Sequence, residues 1–102
     1  MAVPTNAADA LAWTQDAMNG RRYIVDPHVH KRLLDRNMTF RSIWYAIRNA
    51  TTCVAYAPDR EPLAGGTSWR VTGPDFAGEE TSVGVETFED HLGSRVILIT
   101  VF

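Results

Sequence analysis

The stretch that decides the fold runs from residue 26 to residue 48 and reads DPHVHKRLLDRNMTFRSIWYAIR. Asp26-Pro27 is a strong helix start, because a capping carboxylate precedes a proline at the first helical position. Asn37 suits the left-handed residue that ends this helix, and Thr39 suits the cap of a second one. These signals predict two short helices joined by a tight turn.

The second helix of this hairpin carries one apolar stripe. Its residues recur at i, i+3, i+4 and i+7, which lie on one face of an α-helix: Phe40, Ile43, Trp44 and Ile47. Met38 precedes the cap, where a hydrophobic staple would reach Ile43. We therefore expect this face to lie against the core.

A first helix is predicted over residues 5–19. Asn6 suits its N-cap, with Asp9 three residues later, and Gly20 supplies the stop. The apolar periodicity of this helix is loose. We therefore interpret residues 1–20 as an appendage that packs on the rest of the chain or on a partner, and residues 21–102 as the main domain.

After Asn49 the pattern changes to strands. Four are predicted besides a short one at Tyr23–Val25, over residues 51–57, 67–72, 81–88 and 95–102. The Pro- and Gly-rich residues 58–66 and the short segment 90–94 are expected to be loops. Residues 96–99 are all apolar, as in a central strand covered on both faces. The chain is thus predicted to be α+β, with helices on one face of a mainly antiparallel four- to five-stranded sheet.

The chain has 102 residues, the length of one domain, and its one cysteine, Cys53, cannot form an internal disulfide. No apolar run is long enough for a membrane span, and the N-terminus lacks the basic start and apolar stretch of a signal peptide. We therefore expect a cytoplasmic protein without a membrane partner. No set of His, Cys and Asp has zinc spacing, so neither a metal nor another cofactor is expected.

Charge is distributed unevenly along the chain. Residues 21–48 carry seven basic and two acidic side chains, whereas residues 49–102 carry three basic and eight acidic ones. A molecule with one basic side can attract a polyanion while its acidic side maintains solubility. Alternatively, the acidic strands and basic helices neutralise each other within the fold.

Two segments carry a family resemblance. In HVHKRLLDRNMTFRSIWYAI, residues 28–47, a His and two Arg follow one another at intervals of four: His28, Arg32 and Arg36. In TGPDFAGEETSVGVETFED, residues 72–90, Gly73, Asp75 and Gly78 form a turn pattern, and RVILITVF follows at residues 95–102. Order and spacing resemble a family of small bacterial domains of unknown function that is similar to the BrnT and RelE/ParE toxins of toxin–antitoxin pairs. Asn37 stands where that family usually has Gly.

The resemblance implies a RelE-like fold and a metal-independent endoribonuclease that acts on mRNA and is neutralised by a cognate antitoxin. His28, Arg32 and Arg36 would line one helix face as catalytic residues. The histidine would transfer a proton between the ribose 2′-hydroxyl and the leaving group, and the arginines would stabilise charge on the phosphate. Further contacts to RNA are expected from four basic residues: Arg22, Lys31, Arg41 and Arg48.

The same residues have a structural alternative, in which His28 caps the helix start and the two arginines pair with carboxylates of the acidic strands. Two other functions also stay open. One is a non-catalytic protein-binding module that docks through the first helix or a strand edge. The other is an immunity or accessory protein of a mobile element that binds through an acidic sheet face. RNA, an antitoxin and another protein are thus the candidate partners, and the oligomeric state is open.

Overall fold

The computed structural model describes residues 3–58 and 61–102. Within them lie helices α1 (Ala7–Asn19), α2 (Pro27–Asp35) and α3 (Phe40–Arg48). The strands are β1 (Tyr23–Val25), β2 (Thr52–Ala55), β3 (Thr67–Pro74), β4 (Glu80–Asp90) and β5 (Gly93–Val101). The predicted α+β class and the predicted order of helices and strands are confirmed.

The strands form one sheet in the order β1-β5-β4-β3-β2. Three of the pairings are antiparallel, and β1 runs parallel to β5. The mainly antiparallel sheet is therefore confirmed, with β1 as its parallel edge. β5 lies between β1 and β4, which is the interior position that its apolar residues predicted. The strands β4 and β5 pair as far as Asp90 and Gly93, so the predicted hairpin loop is present but shorter than residues 90–94, with a turn of two residues.

Both ends of α2 form as the sequence predicts. The Asp26 carboxylate accepts the backbone N–H of His28 at 2.9 Å, and Asn37 closes the helix with a φ of 53°. Thr39 occupies the N-cap position of α3, but its side chain makes no capping hydrogen bond. Its hydroxyl lies 3.3 Å from Ser42 Oγ instead.

The core lies between the helices and one face of the sheet. Ile43 and Ile47 of the predicted stripe are fully buried there, whereas Phe40 and Trp44 are half-buried. Helix α1 contributes Ala10, Ala17 and Met18 to the same core, none of them more than 1% exposed. The helix interpreted as an appendage therefore packs on the rest of the chain. No helix in the described ranges is long and apolar enough to cross a membrane.

A β-bulge decides which side chains reach the opposite face of the sheet. Gly84 pairs with Thr100 but the next residue, Val85, pairs with Leu98, so Ile99 is an extra residue in β5. Before the bulge Val96 and Leu98 face the core, and after it Val101 does. The bulge therefore turns Thr100 and Phe102 away from the helices.

A segment of residues 61–66 crosses this opposite face and is anchored by one carboxylate. Glu86 is 1% exposed and accepts the backbone N–H groups of Leu63 at 2.7 Å, Ala64 at 2.7 Å and Gly66 at 3.2 Å. These bonds satisfy a charge that would otherwise be costly to bury.

Candidate active-site cleft

A surface cleft of about 370 Å³ lies where α2, the end of β5 and the residues after β2 meet. Two predicted catalytic residues, His28 and Arg32, line it. The rest of its lining comes from distant parts of the chain: Tyr56, Pro58, Ile99, Thr100 and Phe102. The fold thus brings the predicted His/Arg pair together with a phenol and an aromatic ring.

The orientation of Arg32 is set by the main chain of β5. Its Nε donates a hydrogen bond to the Val101 carbonyl oxygen at 3.2 Å. A guanidinium has five N–H donors in one plane, so this bond fixes the plane and leaves the four Nη donors. The carbonyl that it binds carries no formal charge. Arg32 therefore keeps both charge and donors for an anion in the cleft.

Arg36, the third predicted catalytic residue, lies outside the lining of the cleft. Its Nη1 donates to the main-chain oxygen of Phe102, and its side chain is exposed. Arg36 therefore acts on the cleft indirectly, by holding the backbone of the residue whose ring forms one wall.

The structural alternative for this row is wrong for His28. The side chain that caps α2 belongs to Asp26, and His28 contributes its backbone N–H. The imidazole is on the exposed surface at the cleft. The hydrogen bonds of Arg32 and Arg36 go to main-chain oxygens of Val101 and Phe102 rather than to acidic side chains of the sheet.

Tyr56 and Phe102 form the aromatic wall of the cleft. Their ring centroids lie 5.1 Å apart at 89°, a T-shaped contact. Within residues 3–58 and 61–102 the Tyr56 hydroxyl has no hydrogen-bond partner. Both rings lie over Gly84: an added Cβ there would come within 3.3 Å of Tyr56 Cε2 and 2.9 Å of Thr100 Cγ2. Glycine at position 84 thus leaves room for both rings and the Thr100 methyl group close to the sheet.

Sequence reasoning missed Arg70 and Tyr56 as site residues. The Arg70 guanidinium carbon lies 4.3 Å from the centroid of the Phe102 ring, so a second cation stands at the edge of the cleft. Arg70 pairs with Gly84 across β3 and β4, which puts both on the cleft face. Alternation with the buried Trp69 and Val71 could have assigned Arg70 to that face, but not to a position beside α2.

The four predicted RNA-binding residues lie on three parts of the fold. Lys31 is exposed on α2, the helix that carries His28. Arg22 forms an ion pair with Asp16, and its Nε donates to the Ser94 carbonyl at 2.8 Å. The remaining two, Arg41 and Arg48, are exposed on α3.

Two titratable groups outside the cleft are perturbed by their surroundings. Burial raises the pKa of the Cys53 thiol, which is half-buried beside the core. Burial also acts to raise the pKa of the Asp90 carboxyl, but hydrogen bonds from Arg95 and the Leu92 N–H, with the nearby positive charges, lower it overall. In the described ranges no three His, Cys, Asp or Glu side chains are placed to hold a metal ion.

Comparisons with protein-family models, with curated proteins and with solved structures give no significant match to this chain.

Proposed function

We propose that the chain is an endoribonuclease that cleaves RNA without a metal ion in the cleft of His28 and Arg32. The observation that carries the proposal is that His28, Arg32 and Tyr56 line one cleft, and that the Tyr56 hydroxyl has no hydrogen-bond partner among residues 3–58 and 61–102. A proton acceptor, a cation and a proton donor are the groups needed for transesterification of a phosphodiester.

In the proposed reaction His28 accepts the proton of the ribose 2′-hydroxyl as its oxygen attacks the phosphorus. A 2′,3′-cyclic phosphate forms, and the bond from phosphorus to the 5′ oxygen breaks. Tyr56 protonates the leaving oxygen, and the proton on His28 then returns to the phenolate. Arg32 stabilises the negative charge that develops on the phosphoryl oxygens.

Arg70 and Phe102 supply the binding part of the cleft. The half-buried Phe102 ring can contact a base of single-stranded RNA, and the guanidinium above the ring can contact the adjoining phosphate. Lys31 adds a positive charge on the same helix as His28 and Arg32. Such contacts favour unpaired RNA, since the bases of a duplex are stacked and inaccessible.

The biological setting of the proposal rests on the family resemblance. In that setting the protein is a toxin-like nuclease that acts on mRNA in the cytoplasm and is neutralised by a cognate antitoxin. An antitoxin would act most simply by covering the cleft of His28 and Arg32.

The proposal is tested with a fluorescent single-stranded RNA and purified protein in the presence of EDTA. We expect cleavage to 2′,3′-cyclic phosphate ends, and a loss of about 10²–10⁴-fold in rate for His28→Ala. Arg32→Gln should also lose rate, because the amide keeps hydrogen bonding but not the charge. His30→Ala is the matched control, since His30 is also exposed on α2 but two residues away and on another side of the helix.

Three results would contradict the proposal. They are RNA left intact by the wild-type protein, equal rates for the His28→Ala and wild-type proteins, and cleavage of a strand with 2′-deoxyribose at the cut site. Circular dichroism and the unfolding midpoint of each variant show whether a lost rate reflects lost folding.

A second candidate function is favoured by the edge of the sheet at β2. This strand pairs with β3 on one side, and Val54 in its middle is 49% exposed. Such an edge can accept a strand from a protein partner. Absence of RNA cleavage together with capture of the neighbouring gene's product, lost in Val54→Lys, would favour this non-catalytic module.

A further inference from the structure

A second cleft, of about 350 Å³, lies on the outer side of α3. Five aromatic residues and one cation line it: Tyr23, Phe40, Arg41, Trp44, Tyr45 and Phe76. We call it the aromatic cleft. Its volume is in the range of small-molecule sites, and the proposed cleavage reaction does not use it.

Several rings of the aromatic cleft are held in place by their neighbours. Phe40 packs edge-on against Tyr23 with centroids 5.4 Å apart, and Tyr45 lies 4.5 Å from Phe76 at 35°. The rings therefore lose little conformational freedom when a flat ligand packs against them.

Trp44 is held in a different way, by the Arg48 guanidinium, whose carbon lies 5.2 Å from the ring centroid. This contact also places a second positive charge next to the cleft.

The turn between β3 and β4 presents Phe76 to this cleft. Asp75 Oδ1 accepts the N–H groups of Ala77 at 2.9 Å and Glu79 at 2.8 Å, and Gly78 has the positive φ of 81° that the turn needs. The Phe76 ring itself is 59% exposed. The Gly73, Asp75 and Gly78 pattern of the sequence thus builds a fixed turn with an exposed aromatic ring at its tip.

Charge decides the kind of ligand that fits. Arg41 is exposed at the cleft and, among residues 3–58 and 61–102, has neither a hydrogen-bond nor an ion-pair partner. A cationic ligand would be repelled by Arg41 and Arg48, although aromatic rings alone would accept it. A flat ring with an attached anion can contact both the aromatic faces and the Arg41 guanidinium.

We propose that the aromatic cleft binds one nucleotide, with the base stacked on Phe76 and Trp44 and the phosphate bound by Arg41. The nucleotide has two possible sources, a free mononucleotide or one unit of a single-stranded RNA. The RNA source rests on the proposed function, and the cleft would then hold a part of the strand away from the cut.

The test is a titration of intrinsic tryptophan fluorescence with adenosine monophosphate and, separately, with a single-stranded deoxyribonucleotide octamer that cannot be cleaved. Trp13 and Trp69 are at most 8% exposed, so quenching by a stacked base reports mainly on Trp44. We expect saturable quenching, with Kd raised about 5- to 100-fold in Phe76→Ala, the loss of one stacked base. Arg41→Gln should weaken binding and reduce its dependence on salt.

Matched controls are Leu92→Ala, an exposed apolar residue on another turn, and Arg21→Gln, another exposed cation. Both should bind as the wild type does. Tighter binding of the octamer than of the mononucleotide, lost in the same two variants, identifies a strand as the source. Equal Kd values for the two identify a free nucleotide.

The proposal is overturned if neither probe quenches saturably, or if Phe76→Ala and Arg41→Gln bind as tightly as the controls. Cleavage is measured separately through His28→Ala. The two proposals can therefore fail separately, because RNA cleavage tests the nuclease proposal and tryptophan quenching tests the aromatic-cleft proposal.

Discussion

Replacing the buried Glu86 by Gln should release the segment of residues 61–66 and destabilise the fold. The carboxylate receives three N–H groups, at 2.7, 2.7 and 3.2 Å, and its side chain is 1% exposed. An amide keeps one acceptor oxygen and places an NH₂ group where the other oxygen stood. At least one of the three N–H groups then faces a donor and stays unsatisfied.

The loss in the free energy of unfolding can be estimated from the type of hydrogen bond that is removed. A hydrogen bond to a charged group contributes about 1.5–3 kcal/mol, and a buried donor left unsatisfied costs about 1–3 kcal/mol. The Glu86→Gln variant should therefore lose about 2–4 kcal/mol of the free energy of unfolding, unless the segment detaches and hydrates its N–H groups at a lower cost. Against a total of about 5–15 kcal/mol this is a large fraction.

Urea unfolding gives the free-energy change, and amide hydrogen exchange at Leu63, Ala64 and Gly66 shows whether the segment opens locally. The matched control is Glu80→Gln, the same chemical change on the same strand at an exposed position, which should stay within about 0.5 kcal/mol of the wild type. If the two variants have equal stability and equal exchange rates, the carboxylate does not anchor the segment and the reasoning fails.

Three further predictions concern other parts of the fold. Gly84→Ala should cost about 1–3 kcal/mol and slow RNA cleavage, because its methyl group displaces Thr100 and Tyr56; an unchanged unfolding midpoint and rate would contradict this. Asp90→Asn should be less stable than the wild type at neutral pH. The lowered pKa of Asp90 stabilises the fold above the usual aspartate pKa, so the difference should shrink as the pH falls through the folded-state pKa, and a difference that is constant from pH 7 to pH 2 would refute it. Cys53, whose pKa burial raises, should react with a thiol reagent more slowly in the folded protein than in urea at the same pH, and equal rates would show that the thiol is not buried.

The helical hairpin could be predicted from the sequence because its signals are local. Asp26-Pro27 begins α2 and Asn37 ends it, through contacts within four residues of each end. The composition of the cleft could not be predicted in the same way. It depends on how β5 pairs with β4, and residues 96–99 are all apolar, so no alternation marks the bulge at Ile99.

The burial of Glu86 could not be predicted from the sequence either. A glutamate in an alternating strand is expected to face water, and it is the crossing segment of residues 61–66 that covers it. Helical spacing predicts that His28 and Arg32 lie on the same face of α2. The positions of Tyr56 and Arg70 at the cleft could not be predicted, because they depend on the register of β2, β3 and β4.

The extra residue Ile99 changes which residues of β5 face the core. Before it, the even-numbered positions Val96 and Leu98 belong to the core, and after it the odd-numbered Val101 does. If β5 continued at its present length without the bulge, Thr100 would face the core and Val101 would face away from it. The bulge therefore determines which side chains after Leu98 face the core and which face the cleft, and deletion of Ile99 would leave Thr100 and Val101 on their present faces.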